Sequence, residues 1–432
     1  MLDIAFIREF PELVKAGAKK KRLQVNVDRL LEVDRQRRVL ITELEQLRAE
    51  RNRKSRMVSG VAPGEREALL AETRAITERL KHNETALTPL DAEFNQLMLQ
   101  VPNVPAADVP EGLTDADNVE IRRWGEPRTF SFMPCDHVEL GEALDLIDIR
   151  RAVRIAGTRT YYLKNEAVLL ELAVLRFTLD HMIRKGFTPM LVPHLVKDEA
   201  MVGTAYFPGG EEQAYRIEKD AVNLIGTSEV PLTAYHYDEI LSEAELPKRY
   251  VGMSTCYRRE AGTYGRDTRG IYRIHQFHKV EQVIICVADE QVSIAEHEGI
   301  VRNAEEVLQA LQLPYRVVNV CGGDLGAPQV KKYDIETWMP SREAYSETHS
   351  ASRFYDFQAR RLKLRYRDRH GKVHYAHTLN NTVIASPRIL IPLLETYQQE
   401  DGSVVIPEVL RPYMGGVERI ERKGRGRTTA AN

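Results

Sequence analysis

Two stretches of heptad-spaced apolar residues, separated by one helix-breaking segment, constrain this chain more than any other feature. From Leu30 the apolar positions advance by three and four residues, through Val33, Leu40, Leu44 and Leu47, with Arg37 at one seam position. That spacing makes a narrow stripe of the coiled-coil kind. At SGVAPG, Ser59 to Gly64, glycines and a proline break the helix and let the chain reverse. The stripe resumes at Leu69 and runs through Thr73, Ile76, Leu80, Asn83, Leu87, Leu90, Phe94 and Leu97. Two such helices predict an antiparallel hairpin over about residues 27–100. Each arm would be roughly 45 Å long at 1.5 Å per residue, more than a compact domain needs, so the hairpin is expected to project. Pro89 falls inside the second stripe and predicts a bend, because it removes a backbone hydrogen bond.

Periodicity alone leaves the partner of such a hairpin open between a second coil and something else. Near the tip Arg48, Arg51, Arg53, Lys54 and Arg56 crowd together among few acids. A phosphate backbone could dock on them, and a solvated face is an equal reading of the charge alone.

The chain has 432 residues, more than the roughly 250 to 300 that one hydrophobic core supports, so at least two structural units are expected. The proline-rich VPNVPAADVPEG, Val101 to Gly112, reads as a linker. The predicted division is an N-terminal domain over 1–100, a linker over 101–118, a body over 119–420 and a basic tail over 421–432. In the body, short β-rich segments such as TYYLK, VVNVC, LKLRYR and VHYAHT alternate with helical stretches such as NEAVLLELAVLRFTLDHMIRKG. That texture predicts an α+β fold with an antiparallel sheet flanked by helices.

Global charge excludes little: the formal net charge is -2, with 29% charged and 43% hydrophobic residues. Cys135, Cys256, Cys286 and Cys321 lie far apart without a CxxC pair, which suggests neither a disulfide framework nor a cysteine zinc site and fits a reducing cytoplasm. No signal peptide is read in MLDIAFIREF, and no uncharged run approaches the length of about 18 residues that a membrane span needs.

Neither a GxxxxGK loop nor a GxGxxG turn occurs, so a nucleotide would have to be held by side chains on the sheet. The segment from Val251 to Gln282, VGMSTCYRREAGTYGRDTRGIYRIHQFHKVEQ, reads as two strands joined by a Gly/Arg-rich loop. Strand parity predicts that Arg258 and Glu260 share one face and that Arg273, Phe277 and Glu281 share another. An arginine fork can clamp a phosphate, an aromatic ring can stack on a purine, and a carboxylate can hold an ammonium or hydroxyl. Singly, each is as readily a surface salt bridge or a core ring; together they point to a nucleotide site. His275 and His278 are three apart and should point to opposite faces, which argues against joint chelation. Cys256 reads as a small buried residue.

This hairpin resembles motif 2 of the class II aminoacyl-tRNA synthetases, and in particular of the seryl-tRNA synthetase family, bacterial type. TSEVPLT (Thr227 to Thr233) is similar to the family's amino-acid-binding TxE motif, and SETHSASRFYDFQARR (Ser346 to Arg361) to its metal and ATP segment. NNTVIASPRILIPLLETYQQEDGSVVIPEVLRPYMGG (Asn380 to Gly416) resembles motif 3 and the closing segment. Pro193, within TPMLVPHLV, matches the motif 1 proline at a dimer interface.

The resemblance implies a class II catalytic domain behind a tRNA-binding arm, in a cytoplasmic homodimer without membrane attachment. Its substrates would be L-serine, ATP with Mg²⁺, and tRNA(Ser), with tRNA(Sec) left open as a second acceptor; no zinc is expected. Arg258 would hold the α-phosphate and the serine carboxylate, and Glu260 the adenosine end of ATP. Phe277 and Arg388 would sandwich adenine, with Arg388 also reaching the γ-phosphate; Arg258 and Arg388 are the catalytic pair. Arg259, Arg273, Thr348 and His349 join the ATP set, and Glu347 and Ser350 would bind Mg²⁺. Thr227, Ser228, Glu229, Glu281, Asn380 and Thr382 would surround serine. On the arm, Arg48, Arg51, Arg53 and Lys54 would meet tRNA.

Two segments depart from the family pattern. NNTVIASPR stands where many members have NGSGLAVGR, and ETHSAS replaces the commoner EVSSCS. Two other readings compete with serine charging. One is a relative that activates an amino acid for a non-tRNA acceptor, which would be expected to lack the arm. The other is a catalytically silent paralogue that binds RNA or a partner, which would be expected to lack Arg258 and Arg388.

Overall fold

The computed structural model describes residues 1–58, 60, 62–262, 267 and 269–422, with Pro63 by its backbone alone. Positions 59 and 61 of the SGVAPG turn, 263–266 and 268 of the Gly/Arg-rich loop, and the tail from 423 lie outside the described residues. The chain divides into two compact units, Met1–Val104 and Pro105–Asn432.

In the first unit, helices α1 (Ile4–Glu9) and α2 (Pro11–Lys20) precede the long helices α3 (Val27–Met57) and α4 (Pro63–Gln100). Asp3 and Asn26 cap α1 and α3 by accepting the Ala5 and Arg29 amides, which would otherwise lack partners. Ile7, Val14, Val27, Leu30, Met98 and Val101 form one small core where α1 and α2 meet the base of the hairpin. Further along, Leu44, Leu47, Ile76 and Leu80 form the seam. Pairs near the start of α3 meet the end of α4 and pairs near its end meet the start: Arg29 with Glu93, Arg37 with Asp91, Glu43 with Asn83, Arg48 with Glu84 and Lys54 with Glu72. The hairpin is therefore antiparallel. α4 runs through Pro89 without interruption. One missing hydrogen bond weighs less than a seam that buries residues on both sides of it.

The second unit is built on eight strands: β1 (Val119–Trp124), β2 (Thr188–Met190), β3 (Lys248–Tyr257), β4 (Gln276–Cys286), β5 (Tyr315–Asn319), β6 (Lys331–Met339), β7 (Ala344–Tyr355) and β8 (His377–Ser386). They form one sheet in the order β1-β5-β6-β7-β8-β4-β3-β2, antiparallel throughout except where β2 runs parallel to β3. The sheet is thus the antiparallel one expected, with one parallel edge. Helices α5 (Glu166–Arg184) and α6 (Glu290–Ala310) pack on one face through Leu170, Val174, Phe177, Ile300, Ala304 and Leu308.

Alternation along β4 sorts its side chains between the two faces. Val280 and Ile284 enter the core beneath the helices, and Gln282 between them donates to the Ile300 carbonyl of α6 (2.8 Å). Phe277, Lys279 and Glu281 emerge on the other face, where a cleft opens. Among the described residues no helix is long and apolar enough to cross a membrane.

Candidate active site

The cleft is a cavity of about 300 Å³ walled by β4, β7 and β8 and by the segments on either side of the β3–β4 loop. It gathers Glu229, Arg258, Glu260, Arg273, Phe277, Glu281, Glu347, Thr348, His349, Ser350, Asn380, Thr382 and Arg388, which the sequence nominated from four separate segments.

Strand parity did not decide the placement of the arginines. β3 ends at Tyr257 and β4 begins at Gln276, so Arg258, Glu260 and Arg273 all lie off the strands. Glu260 sits at φ 53°, a left-handed conformation, and Arg273 Nη1 donates to its carboxylate at 2.7 Å. Arg273 Nε is buried without an acceptor, leaving one donor for a ligand. Arg258 donates from Nε to the Gly226 carbonyl (3.2 Å), and its guanidinium lies 5.2 Å from the centroid of the Phe277 ring. Arg259, half-exposed, lies 3.9 Å from Glu212 and is not part of the cavity wall.

Arg388 also has an unforeseen neighbour, with its guanidinium 4.3 Å from the centroid of Tyr272. Its Nε donates to the Tyr272 carbonyl and Nη1 to the Glu347 carbonyl, at 3.2 and 3.1 Å, while the Tyr272 hydroxyl donates to that same Glu347 carbonyl (3.2 Å). The segment carrying Tyr272 is fixed from behind. The Ile271 amide donates to His137 Nε2 (3.4 Å), and the other ring nitrogen of His137 pairs with the fully buried Glu395 at 2.9 Å. Gly270, at φ 82°, has to be glycine here, because a Cβ would stand 2.1 Å from His137 Nε2.

Glu347 and Ser350 are three apart on β7 and would face opposite ways on a regular strand. Glu347 pairs with Glu336 and His349 with Ile335, so Thr348 is an extra residue, a bulge that reverses the alternation. Both flanking residues therefore reach the cavity. The Thr348 hydroxyl is spent within the protein, on Thr337 (2.6 Å) and on His349 Nδ1 (2.7 Å). Burial pushes the His349 imidazole down to about 3, so it is neutral. For Glu347, desolvation by the cleft walls opposes ionisation, but Lys332, Arg388, Arg258 and Arg273 hold its carboxyl below the usual carboxylate range.

At the inner end, Glu229 accepts from the Tyr206 hydroxyl (2.7 Å) and from Gln358 Nε2 (2.9 Å). Burial, reinforced by the charge of Glu281, pushes its carboxyl up to about 7. Lys279 Nζ lies 2.6 Å from Glu281 Oε2 and donates to the Thr382 hydroxyl (3.2 Å), which donates in turn to Glu281 Oε2 (3.0 Å). Asn380 Nδ2 is buried without an acceptor. Thr227 and Ser228 hold the turn instead of lining the cavity: Thr227 Oγ1 accepts the Glu229 amide (3.1 Å) and the Ser228 hydroxyl faces the Gly252 carbonyl (3.5 Å).

Sequence reasoning missed Lys279, Tyr206, Gln358 and Tyr272. Lys279 shares parity with Phe277 and Glu281 and was within reach of the argument used for them; the others arrive from distant segments without a local signal. His275, just before β4, and His278, on it, part company, one to the Arg258 carbonyl (3.0 Å) and one to Glu171 (3.3 Å). Cys256 is fully buried, and burial pushes its thiol up.

On the arm, the second helix supplies acids that the local sequence around the tip did not show. Arg48 pairs with Glu84 (2.9 Å), and Lys54 with Glu72 and with Glu50 (3.4 Å). Arg51 and Arg53 have no ion-pair partner among the described residues.

Known proteins match both units. A family model of the tRNA synthetase class II core domain (G, H, P, S and T) matches residues 214–397, and one of the seryl-tRNA synthetase N-terminal domain matches residues 1–105. A serine--tRNA ligase of Deinococcus radiodurans is 48% identical over 97% of this chain and 98% of its own length. The crystal structure of seryl-tRNA synthetase from Pyrococcus horikoshii complexed with ATP covers 98% of this chain and 100% of its own, at a TM-score of 0.90 and 41% identity. That of the cytoplasmic serine-tRNA ligase from Naegleria fowleri in complex with AMP covers 98% and 99%, at 0.87 and 32%. With the arm and the body each matched and the likeness running end to end, the chain belongs to the seryl-tRNA synthetase family.

Proposed function

We propose that this enzyme activates L-serine with ATP to seryl-adenylate and pyrophosphate, then transfers serine to the 3′ end of tRNA(Ser). The observation that carries the reading is the join between two unlike halves of one cavity. Arg258, Arg273 and Arg388 suit a triphosphate, and the buried Glu229, Glu281, Lys279 and Thr382 suit a small ammonium with a hydroxyl.

Serine's carboxylate is already ionised at neutral pH, so adenylation needs no general base. The task is to place that carboxylate in line with the α-phosphate and to offset the charge that builds there. Arg258 stands where the two halves meet. Phe277 offers a face for adenine and Arg388 a second planar cation, fixed by two backbone carbonyls. Asn380 Nδ2, a buried donor without an acceptor, suits a carboxylate oxygen. Glu347 and Ser350 present one ionised carboxylate and one hydroxyl, a sparse oxygen set that suits Mg²⁺ shared with phosphates and water. When bound, Mg²⁺ would offset the charge of the phosphates.

In the second step the terminal ribose hydroxyl oxygen bonds to the carbonyl carbon of the adenylate. The carbon–oxygen bond to the phosphate breaks, AMP leaves with the electron pair, and the hydroxyl proton passes to solvent. The working unit is a homodimer: Leu169 and Leu172 on α5 and Leu191 and Leu195 on either side of Pro193 are 44%, 58%, 85% and 50% exposed, apolar side chains that a second copy would cover. Four free thiols among the described residues suit the cytoplasm.

Amino-acid-dependent ATP–pyrophosphate exchange across all twenty amino acids tests the first step. Exchange with serine is expected; exchange with another amino acid would replace serine, and no exchange would favour a silent RNA-binding protein. Deleting residues 30–97 is expected to leave exchange largely intact and to abolish charging of tRNA(Ser). The same charging assay with tRNA(Sec) measures the acceptor range.

A further inference from the structure

The Tyr272 ring serves two cations. The Arg388 guanidinium lies over it at 4.3 Å from the ring centroid, and that of Arg342, from the turn between β6 and β7, lies over it at 4.1 Å. Two bare like charges on one ring would repel each other. Asp267 offsets one of them: Arg342 Nη2 donates to its carboxylate at 2.9 Å.

A single buried side chain braces both the ring and the second cation. Glu395, on α7 (Leu390–Tyr397), is fully buried. Its carboxylate accepts from the Ser341 hydroxyl (2.8 Å) and the Ser341 amide (2.9 Å), and Ser341 immediately precedes Arg342. It also accepts from the His137 amide (3.0 Å). Because His137 Nε2 accepts the Ile271 amide, the ring proton sits on Nδ1 and is donated to Glu395 as well. Ile271 immediately precedes Tyr272. One carboxylate thus fixes the residue before the ring and the residue before the cation upon it.

The beneficiary is Arg388. A guanidinium is planar and has two faces. Tyr272 covers one face, and the other stays for a second flat group, which in the reading above is adenine with Phe277 beyond it. The Tyr272 and Glu347 carbonyls take two of the Arg388 donors, so the plane cannot turn without losing both hydrogen bonds and the ring contact. Ordering a free arginine on binding would cost affinity, and here it is ordered beforehand.

We propose that Tyr272 is a positioning residue for ATP: backed by Arg342 and by the Glu395–His137 brace, it presents the plane of Arg388 to the adenine ring. The inference rests on the ATP half of the serine-charging reading and adds what sets the adenine platform. It brings no new reactant and no proton transfer into adenylation.

Serine-dependent pyrophosphate exchange at varied ATP and varied serine tests it. Tyr272→Leu, which loses the ring, is expected to raise the KM for ATP about tenfold, with kcat and the KM for serine within about threefold. Tyr272→Phe, which keeps the ring, should stay within about twofold of wild type in the KM for ATP. Adenosine, the base and ribose without phosphates, should compete with ATP, and Tyr272→Leu should weaken that inhibition by about the factor seen in the KM for ATP. The Arg342 side chain is 32% exposed and lies outside the cavity wall, so Arg342→Met should keep its melting midpoint and raise the KM for ATP about threefold. An unchanged KM for ATP in either Tyr272→Leu or Arg342→Met would overturn the assignment, the second even if Tyr272→Leu does not fold. So would equal rises for ATP and serine, or a Phe variant as impaired as the Leu one. No exchange by the wild type with any amino acid would instead overturn the reading beneath it.

Discussion

At Glu229, burial and then the neighbouring Glu281 push the carboxyl up to about 7, while the Tyr206 and Gln358 hydrogen bonds pull it down. Two consequences have opposite signs for function and stability. An arriving ammonium needs the ionised form, so the KM for serine should rise as pH falls through 7, a trend measurable by exchange between pH 6 and 8.5. In stability, the folded chain holds a proton that the unfolded chain releases near the ordinary 4.5. The cost therefore grows as pH climbs from 4.5 to 7 and is complete above it, on the order of 3 kcal/mol. Glu229→Gln should raise the melting midpoint at pH 8 by a few degrees and reduce serine-dependent exchange at least a hundredfold. Lys279 carries a different prediction. Its ammonium and Glu281 are a buried pair, so Lys279→Met alone strands a carboxylate and should cost about 3 to 5 kcal/mol in denaturant unfolding. Adding Glu281→Gln should restore most of that stability without restoring activity toward serine, because the hydroxyl would then meet a neutral pocket.

Among the elements, the arm separates its cations into two kinds. Arg48 and Lys54 already have carboxylate partners, whereas Arg51 and Arg53 do not. Arg51→Ala with Arg53→Ala should raise the KM for tRNA(Ser) about tenfold, flatten the dependence of binding on salt and spare pyrophosphate exchange. Arg48→Ala with Lys54→Ala should do less, since two acids lose their partners as two cations go. The hairpin was the most legible part of the chain, because its seam repeats locally: Leu44, Leu47, Ile76 and Leu80 are buried where the heptads put them. The strand order of the large sheet was not legible, since it depends on pairings between distant segments. The cavity residues were legible through motif resemblance, and much less through parity. Parity did not apply to Arg258 and Glu260 because β3 stops at Tyr257, before either of them, and it would have separated Glu347 from Ser350 but for the bulge at Thr348. A bulge leaves no mark in single-strand alternation; it is visible only in the register with β6.

For the whole molecule, the exposed leucines on and near α5 make assembly a measurable property. Leu172→Glu places a charge in the middle of that face. It should shift the enzyme from dimer to monomer in sedimentation equilibrium while leaving the second unit folded, because Leu172 is 58% exposed and takes no part in the core beneath the helix. A variant that remains dimeric would move the interface elsewhere. The Glu260–Arg273 pair bears on how such an enzyme spends its time without substrate. Arg273, nominated for the phosphate tail of ATP, is already paired through Nη1 with a carboxylate. Without a ligand the charge of Arg273 is therefore already offset by Glu260, and an incoming phosphate would have to compete with that carboxylate.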